Sequence, residues 1–265
     1  DRSGIHRDGN LMRAHSDMRT LAAAGPEWLN DGVPNAIPSS AVTFLANFDE
    51  ADGSTTSVDE SSSARPLTLL DGAVIQSYSK YGIGSFRGNG SLANRAQIAD
   101  DAGFQFGSGP FSIFAWFDPS LYTESRAIMA RGHGAEPLCW FFGVVGTALA
   151  FQFSPDGATG YNVQGGDLTG NGFHLVGTTR DDVGVMRLFH AAPTDTLASV
   201  VATRSDAVAA SSLFAGAAEP RIGCVSGGGN PIWGNIDSLV ITKNCLATAA
   251  SPVPTTPFTT DTVAL

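Results

Sequence analysis

Residues 109–119 read GPFSIFAWFDP, and this stretch decides the fold class. Alternation places Phe111, Ile113, Ala115 and Phe117 on one face and Ser112, Phe114 and Trp116 on the other. A strand that is apolar on both faces is buried on both sides, so the pattern predicts a central strand with packed layers above and below it.

Working outward, short apolar segments surround this strand. AVTFLANFD, PLTLLDGAVIQ and GIGSFRGNGSLANRAQIA precede it; AIMARG, CWFFGVVG, ALAFQFSP, FHLVGTTRD, GVMRLFHAA, RIGCVSG and GNIDSLVITK follow. Turn residues separate them, among them Asp156-Gly157, Asn171-Gly172 and Gly227-Gly228-Gly229. DEADGSTTSVDESSSA reads as one long polar turn. About a dozen strands with no strong helix between them predict an all-β, two-sheet antiparallel sandwich.

Composition agrees. The chain has 265 residues, 31 of them Gly, with 43% hydrophobic and 15% charged residues, which suits many strands joined by tight turns. One large sandwich with flanking segments fits this length. The ends differ from the middle. Leu11, Met12, His15, Met18, Leu21 and Ala22 are spaced for a short, weakly amphipathic helix closed by Gly25-Pro26, followed by a Pro-rich stretch. Residues 1–40 therefore read as an extended N-terminal arm, 41–257 as the sandwich and 258–265 as a C-terminal tail. Arg13, Met18, Arg19 and Leu21 are the arm's candidate anchors for docking on a partner.

The net charge of −10 and the 15 scattered basic residues argue against nucleic acid as a partner. No apolar run is long enough for a membrane helix. No signal peptide is visible, although the chain starts at Asp1. Cys139, Cys224 and Cys245 form no CxxC pair; they read as free thiols, with a Cys224–Cys245 bridge as the alternative. GxSxG, HExxH and P-loop patterns are absent, and no strong strand carries paired glutamates for glycoside hydrolysis. His133, His174 and His190 have no partner by spacing. The chain is expected not to be an enzyme.

Five segments resemble, in order, the blocks of concanavalin A-like/laminin-G-like jelly-roll domains of tailed-bacteriophage structural proteins. They are FLANFDEADGSTTSVDES, KYGIGSFRGNGS, IADDAGFQFGSGPFSIFAWFDP, FHLVGTTRDDVGVMRLFHAA and RIGCVSGGGNPIWGNIDSLVITKN. Departures are Phe173 where the pattern has Trp, and His190-Ala191-Ala192 in place of an Asp-Gly turn. The resemblance implies that the first strand, around Phe44–Phe48, lies beside the last, around Ile236–Thr242. It also implies a structural calcium held there by Asp49, Asp52 and Asp237; the alternative is that these aspartates cap turns.

The resemblance, the missing catalytic groups and the lack of a visible export signal point to a virion protein assembled in the host cytoplasm. The expected role is capsid decoration or cement, in a homo-oligomer or multi-copy assembly whose arm docks on neighbouring capsid or tail proteins. The alternative is a carbohydrate-binding module that recognises host-surface glycan. Its candidate residues are Trp140, Tyr161 and Trp233, with Asn162 and Gln164 beside them; an exposed Trp140–Trp233 platform would favour it.

Overall fold

The computed structural model describes residues 36–91, 94–120 and 124–261. In chain order the strands are β1 (Ala36–Pro38), β2 (Val42–Ala46), β3 (Thr56–Val58), β4 (Pro66–Leu70), β5 (Val74–Gln76) and β6 (Ser85–Asn89). Then come β7 (Arg95–Gln97), β8 (Phe111–Pro119), β9 (Arg126–His133), β10 (Glu136–Val145), β11 (Ala148–Phe153), β12 (Tyr161–Gly165) and β13 (His174–Arg180). The last are β14 (Met186–Ala191), β15 (Leu197–Arg204), β16 (Pro220–Ile222), β17 (Trp233–Thr242), β18 (Ser251–Pro252) and β19 (Thr259–Asp261). Two sheets result. One runs β12-β11-β10-β9-β16-β7-β4-β3, and the other β18-β15-β14-β13-β8-β17-β6-β5, with β2 also on β17. The fold is an all-β sandwich, as the alternation predicts.

β8 lies between β13 and β17. Its Phe111, Ile113, Ala115 and Phe117 belong to the main core between the sheets, and Phe114 and Trp116 to a second apolar layer on the other side. Fully burying one such side chain stabilises by about 1.5–3 kcal/mol. The second layer is built from the chain's own ends: Ile37, Val42, Leu246, Ala247 and Phe258 pack against Phe114, Trp116, Leu175, Phe189 and Val240. β1 and β19 pair in parallel, and both Ile37 and Phe258 are fully buried. The sandwich thus takes in residues on both sides of the 41–257 span, because its outer face needs an apolar cover. The arm anchors Arg13, Met18, Arg19 and Leu21 lie outside the described residues.

The first and last long strands do pair: β2 runs antiparallel to β17, with Ala46 opposite Leu239 and Phe44 opposite Ile241. β17 pairs with β6 over Trp233–Ile236 and with β2 from Leu239 onward. The partner changes at a bulge where Ser238 has φ 48°. All three cysteines are free thiols. Among the described residues no helix is long and apolar enough to cross a membrane.

Candidate functional site

The two outer faces of the sandwich differ. Among the described residues, the segments around Ile37 and Phe258 cover one. Across the other, a row of directly paired residues crosses all eight strands: Thr56, Thr68, Gln97, Arg221, Ala130, Phe141, Gln152 and Asn162. Paired residues share a face, and the residues flanking several of them, such as Leu67, Leu69, Ala96, Ile222 and Phe151, point into the core. This row therefore faces outward.

A ridge interrupts it. Ala130 and Phe141 are buried beneath Leu138, Val145 and Val225, where the turn around His133 meets residue Ser226 in a β-bridge with Gly134. Glycine is required there: Gly132 has φ 62°, and a Cβ on it would lie 2.0 Å from the Pro137 carbonyl oxygen. The turn throws His133, itself at φ 121°, over the sheet.

Between the ridge and edge strand β12 lies a cleft of about 330 Å³, lined by His133, Leu138, Gln152, Gly160, Tyr161 and Asn162. That is the lower end of the size range of small-ligand sites. The His133 ring packs 5.4 Å from Phe141, and its Nε2 lies 3.2 Å from Gln152 Oε1. If Nε2 carries the proton and donates to that oxygen, Nδ1 is left as an acceptor, and no atom of the described chain meets it. Burial pushes the imidazole pKa down, against the bond to Gln152 that raises it, so the ring favours its neutral form. Asn162 and Gln164 are exposed and only loosely engaged: Asn162 Nδ2 donates to Gln164 Oε1 at 3.4 Å, and Gln164 Nε2 to the Val145 carbonyl at 3.4 Å.

Arg204 reaches the rim from β15 of the opposite sheet. Its guanidinium sits 5.1 Å from the Tyr161 ring centre, and Nη1 donates to the Asn162 carbonyl at 3.0 Å. Asp206 holds it with two bonds, Nε to Oδ1 at 2.9 Å and Nη2 to Oδ2 at 2.7 Å. That pairing, with the Ala209 amide, pulls the Asp206 carboxyl down to about 2.

The candidate aromatics are scattered. Trp140 is core: it is fully buried, and its Nε1 donates to the Phe104 carbonyl at 3.0 Å. Trp233 is 40% exposed but stands on the other sheet, against Gly90. There is no Trp140–Trp233 platform. Tyr161 does line the cleft, with its ring packed beside both Phe153 and Arg204, which also touch each other. Gln152 was not foreseen, although ALAFQF signals it: Leu149, Phe151 and Phe153 point inward, so Gln152 points out.

The three aspartates converge on one loop but not on one another. Asp237 Oδ2 accepts from the Lys80 and Tyr81 amides at 2.7 and 2.9 Å, Asp49 Oδ1 from Ile83 at 2.7 Å, and Asp52 Oδ1 from Ser77 at 2.9 Å. Among the described residues no three His, Cys, Asp or Glu side chains are grouped to hold a metal ion. These contacts fit the turn-capping alternative: one oxygen of each carboxylate accepts from loop amides. Burial pushes Asp237 up to about 7. An acid catalyst needs such a value, but this carboxyl is 1% exposed and committed to the loop above it. His174 and His190, which looked unpartnered in sequence, bond to each other through Nδ1 and Nε2 at 2.9 Å. A larger cleft of about 550 Å³, lined by Lys80, Tyr81 and the 252–255 segment, is mainly apolar, and the Tyr81 hydroxyl is spent on the Pro254 carbonyl.

No protein-family model and no curated protein matches the chain. Solved structures do. The binding domain of Paraclostridial Mosquitocidal Protein 1 is similar with a TM-score of 0.59 at 11% identity, covering 78% of this chain and 50% of its own. The botulinum neurotoxin serotype C1 binding domain gives 0.55 at 11%, covering 78% and 49%. The likeness is one of fold. A botulinum neurotoxin DC binding domain, similar at a TM-score of 0.56, has been solved in complex with rat synaptotagmin II and with SialylT. The chain spans about half the length of these domains.

Proposed function

We propose that the chain is a non-catalytic binding domain whose ligand is a carbohydrate, held in the cleft of His133, Gln152 and Asn162. One observation carries the reading: the sheet face that no other described segment covers presents uncharged amides around a small cleft. Sugar hydroxyls both donate and accept, and amides match them in both roles. The structural neighbours are binding domains, one of them solved with SialylT, and this favours the carbohydrate reading over virion decoration. Nothing in the described residues bears on the arm that the virion role relied on.

The test is a glycan array, followed by calorimetric titration of the best ligand into wild type, Gln152→Ala and Asn162→Ala. Each variant loses one or two ligand hydrogen bonds, so affinity drops by roughly fivefold to tenfold, with the melting temperature unchanged. Glycan binding that is indifferent to both substitutions, or no binding to any glycan, refutes the reading.

A further inference from the structure

We infer that the cleft selects uncharged sugars and that Asp206 enforces the selection. This rests on the carbohydrate reading above and adds the ligand class to it.

An anionic sugar, bearing a sialate, uronate or sulfate group, needs a free cation, normally an arginine fork that meets its oxygens in pairs. Among the described residues the only cation at the cleft's rim is Arg204. Asp206 already fills that fork, and Nη1 is directed to the Asn162 carbonyl. Farther along the same face, Arg221 faces Glu136, 3.9 Å away. Arg126, on neighbouring β9, is held by Glu124 at 2.8 Å. His133 favours the neutral ring and spends one nitrogen on Gln152. The other nitrogen is itself buried, so what remains for a ligand is amide, an uncharged group suited to hydroxyls. The chain's net charge of −10 repels anions further. Neutralising the cation in place, with Arg204 kept against the Tyr161 ring, preserves the shape of the rim while removing its attraction for acidic sugars.

The experiment uses immobilised probes that differ only in charge: N-acetyllactosamine and its sialylated form, and a glucose oligomer and the matching glucuronate oligomer. Wild type is expected to bind a neutral member of a pair at least about tenfold more tightly than its anionic partner. That binding should change by less than about twofold between low and high salt, because no ion pair forms. Asp206→Asn keeps an oxygen for the Ala209 amide but frees the Arg204 charge, and should gain affinity for the anionic member. Tighter wild-type binding of the anionic member, weakened by salt, overturns the inference and leaves the carbohydrate reading standing. So does a folded Asp206→Asn that gains nothing. Binding of no probe by wild type refutes both.

Discussion

Asp237 stands where β17 changes partner, opposite Trp116 of β8 in the sheet register. Its Oδ1 has no hydrogen-bond partner among the described residues, while Oδ2 takes two loop amides. Desolvation outweighs those amides and raises its pKa from the ordinary carboxylate value to about 7. A raised acid favours the folded state when protonated. Its contribution is therefore full below the ordinary carboxylate pKa and is lost as pH rises to about 7. Wild type should lose melting temperature between about pH 4 and pH 7 relative to Asp237→Asn, which cannot ionise; parallel curves for the two would refute the assignment. A chelator should leave the melting temperature unchanged, because Asp49, Asp52 and Asp237 serve amides; a fall that Asp49→Asn abolishes would restore a bound cation. The family resemblance implies that these three aspartates lie at the meeting of first and last strands, but whether they meet one another or a loop depends on backbone placement, which spacing does not encode.

β17 runs on through its bulge, which side chains tie down. Ser238 Oγ donates to Asn47 Oδ1 at 2.7 Å and accepts from the Phe258 amide at 2.8 Å. Asn47 Nδ2 donates to Glu60 Oε2 at 3.0 Å and to the Phe258 carbonyl at 3.2 Å. One buried node thus joins the first loop, the bulge and the C-terminal segment. Ser238→Ala strands buried polar partners and should cost about 1–3 kcal/mol in denaturant unfolding; a change within experimental error would show that the node contributes nothing. The central strands were legible because alternation with Phe and Trp is a strong signal, and the faces of β8 are those its sequence predicts. Others were not: β3 lies inside the supposed polar turn, β12 alternates only weakly, and β15 has few buried residues. The cleft was harder still, since it brings together residues of β9 to β12 whose adjacency comes from register.

At the scale of the molecule, and among the described residues, the segments around Ile37 and Phe258 cover one outer face and no segment covers the other. Phe258 is fully buried against that covered face, so Phe258→Ala should cost about 3–5 kcal/mol without altering glycan affinity, because the cleft lies on the opposite sheet. A loss of affinity at intact fold would mean that the ligand touches the covered face instead. The most direct measurement of the central claim is an amide-resolved NMR titration of the chain with a neutral oligosaccharide. Shift changes are predicted to cluster at His133, Gln152 and Gly160–Asn162 on the open face; changes centred on Lys80, Tyr81 and residues 252–255, or none at saturating sugar, would contradict it.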